Sequence, residues 1–382
     1  MRLTALLAIA TISVSAQEPN ALDISLSKAG KNRAELEQAL RDVPSEQKDG
    51  MEFLVRHMPE QDLKTLSAKF LLENVKLAYE ARDKTPWGKS IPKDVFFNDV
   101  LPYANINEAR HPWRREFLQR FLPVVAECKT PSEAAQKLNE TVFGTLNVRY
   151  STKRKRADQS PKESMASGLA SCTGLSIVLA DACRAVGVPA RLAGIPQWAN
   201  KRGNHTWVEI WDKQWHFTGA AEPSGKGMNH TWFQGDAAQA KVDSRMSAIY
   251  AASYKKTGTD FPLIWAPQIN WVNAVNVTNR YTSGKLKQTG PRLMVRVWNA
   301  GRQNRVAAEV TVAANAADGK QMSGTSRDEG FDTNDILAFG VKPDGRYTVK
   351  VTQGASTVSH EVEVGQKKQL VVDVVLPGVN AK

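Results

Sequence analysis

The chain has 382 residues, with 51 Lys and Arg against 39 Asp and Glu, a formal net charge of +12, and 42% hydrophobic residues. That length exceeds one ordinary hydrophobic core, so two or three domains are expected, and only three cysteines exclude a disulfide scaffold. The positive balance suits loose attraction to anionic polymers or a cell surface, while the densest basic run, Lys153-Arg154-Lys155-Arg156, reads as a solvated loop and no nucleic-acid binding is expected.

The stretch "MRLTALLAIATISVSA" carries one early arginine, a short apolar run, and small residues at Val14 and Ala16. This is the pattern of a cleavable secretory signal over 1–16, so export to a periplasm or to the medium is expected. No later apolar segment reaches the roughly 20 residues a membrane-spanning helix needs. Residues 17–129 read as helical, with apolar positions three and four apart in "RAELEQALRDV", "DLKTLSAKFLLENVKLAYEAR" and "PWRREFLQRFLPVVAE". The aromatic-rich "DVFFNDVLPYANINEARHPWRREF" turns between Pro102 and Pro112 and is expected to form a lid or wall beside the next domain, with His111 structural.

From 130 to 280 the pattern becomes a helix followed by strands. "SCTGLSIVLADACRAVG" places Cys172, Leu175, Leu179, Ala182, Cys183 and Val186 on one stripe, with Gly187 and Pro189 as a stop. "HTWVEIW" and "QWHFTG" alternate like two strands joined through Asp212-Lys213-Gln214. Between 288 and 378, short alternating segments such as "RLMVRVWNA" and "QLVVDVVLPG" predict a small antiparallel β-sandwich. The acidic "RDEGFDTND" offers Asp328, Asp332 and Asp335 to a cation, but it lacks the spacing of a calcium loop and reads as a solvated turn.

The chemistry starts from Cys172. It stands where a helix begins, and unpaired amides with the helix dipole favour a thiolate there. Cys183, further along the apolar stripe, reads as a small buried hydrophobe, and Cys128 reads the same way, with a Cys128–Cys183 disulfide left open. A cysteine nucleophile needs a base, and histidine is the side chain that titrates near neutrality. The tetrapeptide "NHTW" occurs twice. His205 in the first copy heads a strand, where functional groups meet a helix terminus, whereas His230 in the second follows "GKGMN" on a loop and suits a cleft rim or plain packing. Cys172 and His205 are therefore the expected nucleophile and base.

"GLASCTGLSIVLADACRAVGVPARLAGIP", followed by "NHTWVEIWDKQWHF", resembles the core of the transglutaminase-like superfamily, cysteine enzymes related in architecture to papain-type proteases. Cys172, Gly187-Val188-Pro189-Ala190-Arg191, His205, Trp207, Glu209 and Trp215 carry the resemblance, which covers roughly residues 130–235. It implies an α+β fold: a papain/transglutaminase-like catalytic core, here with a helical N-terminal region and a C-terminal β-sandwich. It also implies that Cys172 attacks an amide carbonyl of a protein or peptide to form a thioester, with His205 moving the proton. The family places an orienting Asp four residues after the tryptophan, and here that position is Gly219. Hairpin pairing through 212–214 sets His205 opposite 220–221, so Glu222 is the expected third catalytic residue and Thr218 the runner-up. The Cys172 N–H is the first expected oxyanion donor. Gln159 is a candidate second donor against a solvated-loop reading, and Trp207 either walls the acyl slot or packs the strand. No cofactor and no metal are expected, since nothing clusters at metal-ligand spacing. The competing reading is a catalytically inactive relative that binds proteins or glycans.

Overall fold

A computed structural model describes residues 21–283, 290–315, 321–366 and 369–377. The expected signal at 1–16 lies outside the described residues. The chain divides into two compact units, one ending at Leu71 and one beginning at Leu72.

The first unit holds α1 (Ala21–Lys28), α2 (Arg33–Asp42), α3 (Lys48–His57) and α4 (Glu60–Leu63), and α5 (Ala68–Lys84) begins within it. Its helices bury the residues that the three- and four-residue spacing marks, among them Leu36, Ala39, Met51, Leu54 and Val55. The helical spacing read over 62–82 is interrupted between Leu63 and Ala68. Side chains replace the missing helical bonds: Asn32 Nδ2 donates to the Leu63 and Leu66 carbonyls at 2.9 Å each, and Glu35 accepts from the Ala68 N–H at 2.7 Å.

The second unit continues with α6 (Lys93–Asp99), α7 (Arg114–Phe121), α8 (Pro131–Leu146), β1 (Arg149–Tyr150), α9 (Pro161–Ser167), β2 (Leu169–Ala170) and α10 (Cys172–Ala185). β3 (Ala190–Ile195), β4 (His205–Asp212), β5 (Gln214–Thr218), α11 (Gln234–Ala237), β6 (Tyr250–Ala252), β7 (Ala274–Asn276) and α12 (Thr278–Thr282) follow. The five strands form one antiparallel sheet in the order β5-β4-β3-β6-β7. Every residue of α10 from Thr173 to Ala185 is buried. A helix buried on all sides belongs at the centre of a domain, and this one packs with α7, α8, β3 and β4. It stops where the sequence indicates, at Gly187, whose φ of 72° suits glycine.

The segment between Pro102 and Pro112 is a wall along α10. Asn105 donates to Asp181 at 2.8 Å, Arg184 donates to the Ala104 carbonyl at 2.8 Å, and the Trp113 indole donates to the Tyr103 carbonyl at 2.9 Å. Arg114, 3% exposed, ties the turn from inside with bonds to the carbonyls of Val100, Leu101, Pro102 and Arg184. His111 is structural here, its Nδ1 lying 3.0 Å from Ser160 Oγ.

The C-terminal β-rich region of this unit contains β8 (Arg292–Trp298), β9 (Glu309–Ala314), β10 (Gln321–Thr325), β11 (Leu337–Gly340), β12 (Arg346–Gln353), β13 (Ser356–Glu363) and β14 (Gln369–Val375). Two sheets, β10-β9-β12-β13 and β11-β8-β14, close over a core that includes Leu293, Val295, Val310, Val312, Val349 and Val351. The expected purely antiparallel pairing needs one correction: β14 runs parallel to β8, returning beside it after the other sheet has been laid. Asp236 of α11, 3% exposed, joins these strands to the segment between β3 and β4. It accepts from Arg202 at 2.5 Å, from Arg292 at 2.5 Å and from Gln369 at 3.2 Å.

Candidate active site

The first turn of α10 positions Cys172. Ser171 caps the helix, its hydroxyl accepting from the Gly174 N–H at 3.1 Å and donating to the Ala157 carbonyl at 2.6 Å. Cys172 therefore occupies the first helical position, where backbone amides lack intrahelical acceptors, and it is partly exposed. Two further contacts pin this turn to the start of β4. Thr173 Oγ1 lies 3.0 Å from Thr206 Oγ1, and Ser176 Oγ donates to the Thr206 carbonyl at 3.2 Å. They bring His205, the first residue of that strand, to the thiol.

The imidazole of His205 is 2% exposed. Trp232, Phe233, Trp207 and Trp198 surround it, with centroids 4.8, 4.9, 5.9 and 6.2 Å away. A carboxylate stands at each ring nitrogen. Glu222 Oε2 is 3.9 Å from Nε2, and Asp332 Oδ2 is 3.4 Å from Nδ1. Neither nitrogen makes a hydrogen bond of good geometry with the protein. The Cys172 sulfur, one His205 nitrogen and an Asp332 oxygen all lie within 4.8 Å of one another. That is too close for the thiol and Asp332 to stand at opposite ends of the imidazole, as nucleophile and orienting carboxylate do in a Ser-His-Asp relay. The thiol and Asp332 are thus close neighbours, with Asp332 toward Nδ1 and Glu222 toward Nε2.

Burial works against a charged His205, but the Asp332 carboxylate and Cys172 outweigh it and hold the pKa well above the ordinary value. Burial likewise works against an ionised Asp332, and here His205 and two bonds from Asn334 win, keeping its carboxyl below the usual range. Glu222 goes the other way: burial raises it to about 7, against the opposing pull of His205. The two flanking carboxyls are therefore pushed in opposite directions, the arrangement by which paired carboxyls acquire separate roles.

Glu222 answers the missing side chain at 219. Its carboxylate fills the space that a Cβ on Gly219 would need and accepts from the Trp232 indole at 2.8 Å. The hairpin register agrees, running from Asp212↔Gln214 to Val208↔Thr218 around Lys213 at a φ of 62°. Thr218 instead receives the Asn139 amide at 3.2 Å and lies apart from the imidazole in the bonding pattern. The second "NHTW" contributes its tryptophan to the site, while His230 is exposed and lines an adjoining cavity.

Other expectations are corrected. Gln159 is 1% exposed, not solvated, and its amide is committed to Ser167 Oγ at 3.2 Å and the Leu169 carbonyl at 3.0 Å, so it is not aimed at an oxyanion. Trp207 is fully buried, bonded to Tyr281 Oη at 2.8 Å and stacked on Trp198, which makes it strand packing rather than a slot wall. All three cysteines are free, so there is no Cys128–Cys183 disulfide. The acidic segment after β10 is not a solvated turn: Asp332 and Asp335 are 2% and 6% exposed. Sequence spacing gave no sign of Asp332, which stands 127 residues after His205, among the C-terminal strands of the same compact unit. Tyr150, which lines the cleft and accepts from the Thr333 N–H at 3.2 Å, was also missed; burial beside Asp332 and Cys172 pushes its pKa up and keeps the hydroxyl protonated. Cys172, His205 and Asp332 are side chains of metal-binding type that gather closely, which the sequence spacing did not anticipate. With one thiol, one imidazole and one off-axis carboxylate, they match a nucleophile's surroundings better than the four-ligand set of a structural zinc site.

Two cavities adjoin Glu222, one of about 420 Å³ that also reaches Asp332 and one of about 430 Å³. Ala221, Glu222 and Phe331 line both, so a groove passes on either side of Glu222 with the β-domain segment as one wall.

Residues 119–234 match the model of the transglutaminase-like superfamily. That segment, which contains Cys172, His205 and Glu222, belongs to the superfamily. Among solved structures the chain is similar to red sea bream transglutaminase, with 9% identity and a TM-score of 0.32 over 73% of this chain and 65% of that one, less than two thirds of that enzyme's length. No curated protein matches.

Proposed function

We propose that this protein is an exported cysteine enzyme of transglutaminase-like type acting on amide bonds of proteins or peptides. The observation that supports it is a partly exposed Cys172 at a helix start beside the buried imidazole of His205. Cys172 Sγ attacks the carbonyl carbon, a C–S bond forms, and the C–N bond breaks as His205 delivers a proton to the departing nitrogen. An amine or water then displaces the sulfur, giving transamidation or hydrolysis. The Cys172 N–H is the first oxyanion donor, and Glu222 steadies the imidazole from its Nε2 edge. The apolar signal at 1–16 supports export, and no described helix is long and apolar enough to cross a membrane.

Iodoacetamide near neutral pH tests the nucleophile. Labelling followed by peptide mass spectrometry is expected to lose its fast component in Cys172→Ala and to keep it in Cys183→Ala. Equal fast labelling in both variants overturns the assignment. A proteomic comparison of amine incorporation with amide cleavage, with and without the protein, then separates transfer from hydrolysis.

A further inference from the structure

The segment between β10 and β11 reaches His205 from the C-terminal β-rich region and is held from inside. Arg305, 5% exposed, donates to the carbonyls of Phe331 at 2.5 Å, Asp332 at 3.2 Å and Asp335 at 3.2 Å. Asn334 donates to the Asn204 carbonyl at 2.8 Å, next to His205, and the Asn334 N–H donates to Asp332 Oδ1 at 2.8 Å. A loop bonded this densely is a fixed wall, and preorganisation of this kind is what a charged catalytic centre requires.

We propose that the C-terminal β region completes the active site, with Asp332 as the positioning residue that sets its carboxylate beside both the His205 imidazole and the Cys172 sulfur. Three observations carry this: the carboxylate lies 3.4 Å from Nδ1, it lies within 4.8 Å of the thiol sulfur, and it is sealed from water while the thiol stays accessible. The inference rests on the enzyme reading above and adds to it a residue outside the segment that matches the family model. The charged and titratable groups around the imidazole are Cys172 from α10, Glu222 after β5, and Asp332 from the β region, with Tyr150 of β1, Asp335 and Arg202 beyond them. A fixed negative charge at this point favours the protonated forms of both the thiol and the imidazole.

The full-length chain and its Asp332→Asn variant are to be alkylated at Cys172 with neutral iodoacetamide and anionic iodoacetate across pH. In a folded Asp332→Asn chain, the pH profile is expected to move down by about one unit. The iodoacetate-to-iodoacetamide ratio is expected to rise about tenfold as a charge near the sulfur is removed. Asp332→Glu keeps the charge and should keep the ratio within about twofold of the parent; it also carries the test if the Asn variant does not fold, since a tenfold rise in it overturns the proposal. An unchanged ratio and profile in a folded Asp332→Asn chain overturn it as well. If instead Cys172 reacts no faster than Cys128 in the parent chain, the enzyme reading itself fails.

Discussion

At the residue scale, the two copies of "NHTW" show what a local sequence carries and what it omits. His205 is 2% exposed, between two carboxylates, and His230 is exposed on a cavity wall. His205→Ala is expected to reduce fast Cys172 alkylation to the level of an ordinary thiol, whereas His230→Ala should leave the alkylation rate within about twofold, because surface substitutions seldom perturb a distant buried pair. The reverse result would exchange the two assignments. Cys172 and His205 were legible because helix-start and strand-start patterns are local. Glu222 was legible through hairpin register, a count along one turn. Asp332 was not, since its place depends on how the C-terminal strands pack within the unit, and its surrounding "RDEGFDTND" has the composition of a surface turn. Gln159 misled for the opposite reason: a polar residue near a nucleophile looks available until its own backbone partners are known.

At the scale of elements, α10 and the β4–β5 hairpin follow directly from periodicity, and the end of α10 from one glycine. The break between α4 and α5 does not, because Asn32 and Glu35 impose it through side-chain bonds from elsewhere in the same unit. β10 and β11 escaped notice because one is polar and the other only four residues long. The acidic segment between those strands depends on Arg305. Arg305→Met would leave three carbonyls without their cationic partner, and charged hydrogen bonds of this sort are worth about 1.5–3 kcal/mol each when lost. A drop of about 3 kcal/mol in unfolding free energy is expected. Limited proteolysis should also show new cleavage within 327–336, and a denaturation midpoint and protease pattern equal to the parent's would rule out this role.

At the scale of the whole molecule, stability should respond to pH through Asp99. It is 3% exposed, and burial raises its pKa to about 6 despite Arg191 and Arg184 nearby. An acid whose pKa is higher folded than unfolded binds its proton more tightly in the native state, so stability is greatest below the unfolded value of about 4 and falls as pH rises to about 6. The loss attributable to this one group is at most about 3 kcal/mol. Asp99→Asn should remove that share of the slope between pH 4 and 6 in urea-unfolding measurements, and an identical slope in both proteins would refute it. The docking of the two halves of the second unit around Asp236 has a consequence in time. His205 is synthesised 127 residues before Asp332, and domains generally fold in the order they emerge from the ribosome. A nascent chain that has completed only its five-stranded sheet thus carries the thiol and the imidazole without the Asp332 carboxylate beside them. Full assembly of that group waits for the last part of the polypeptide, so a truncated product would be released without it.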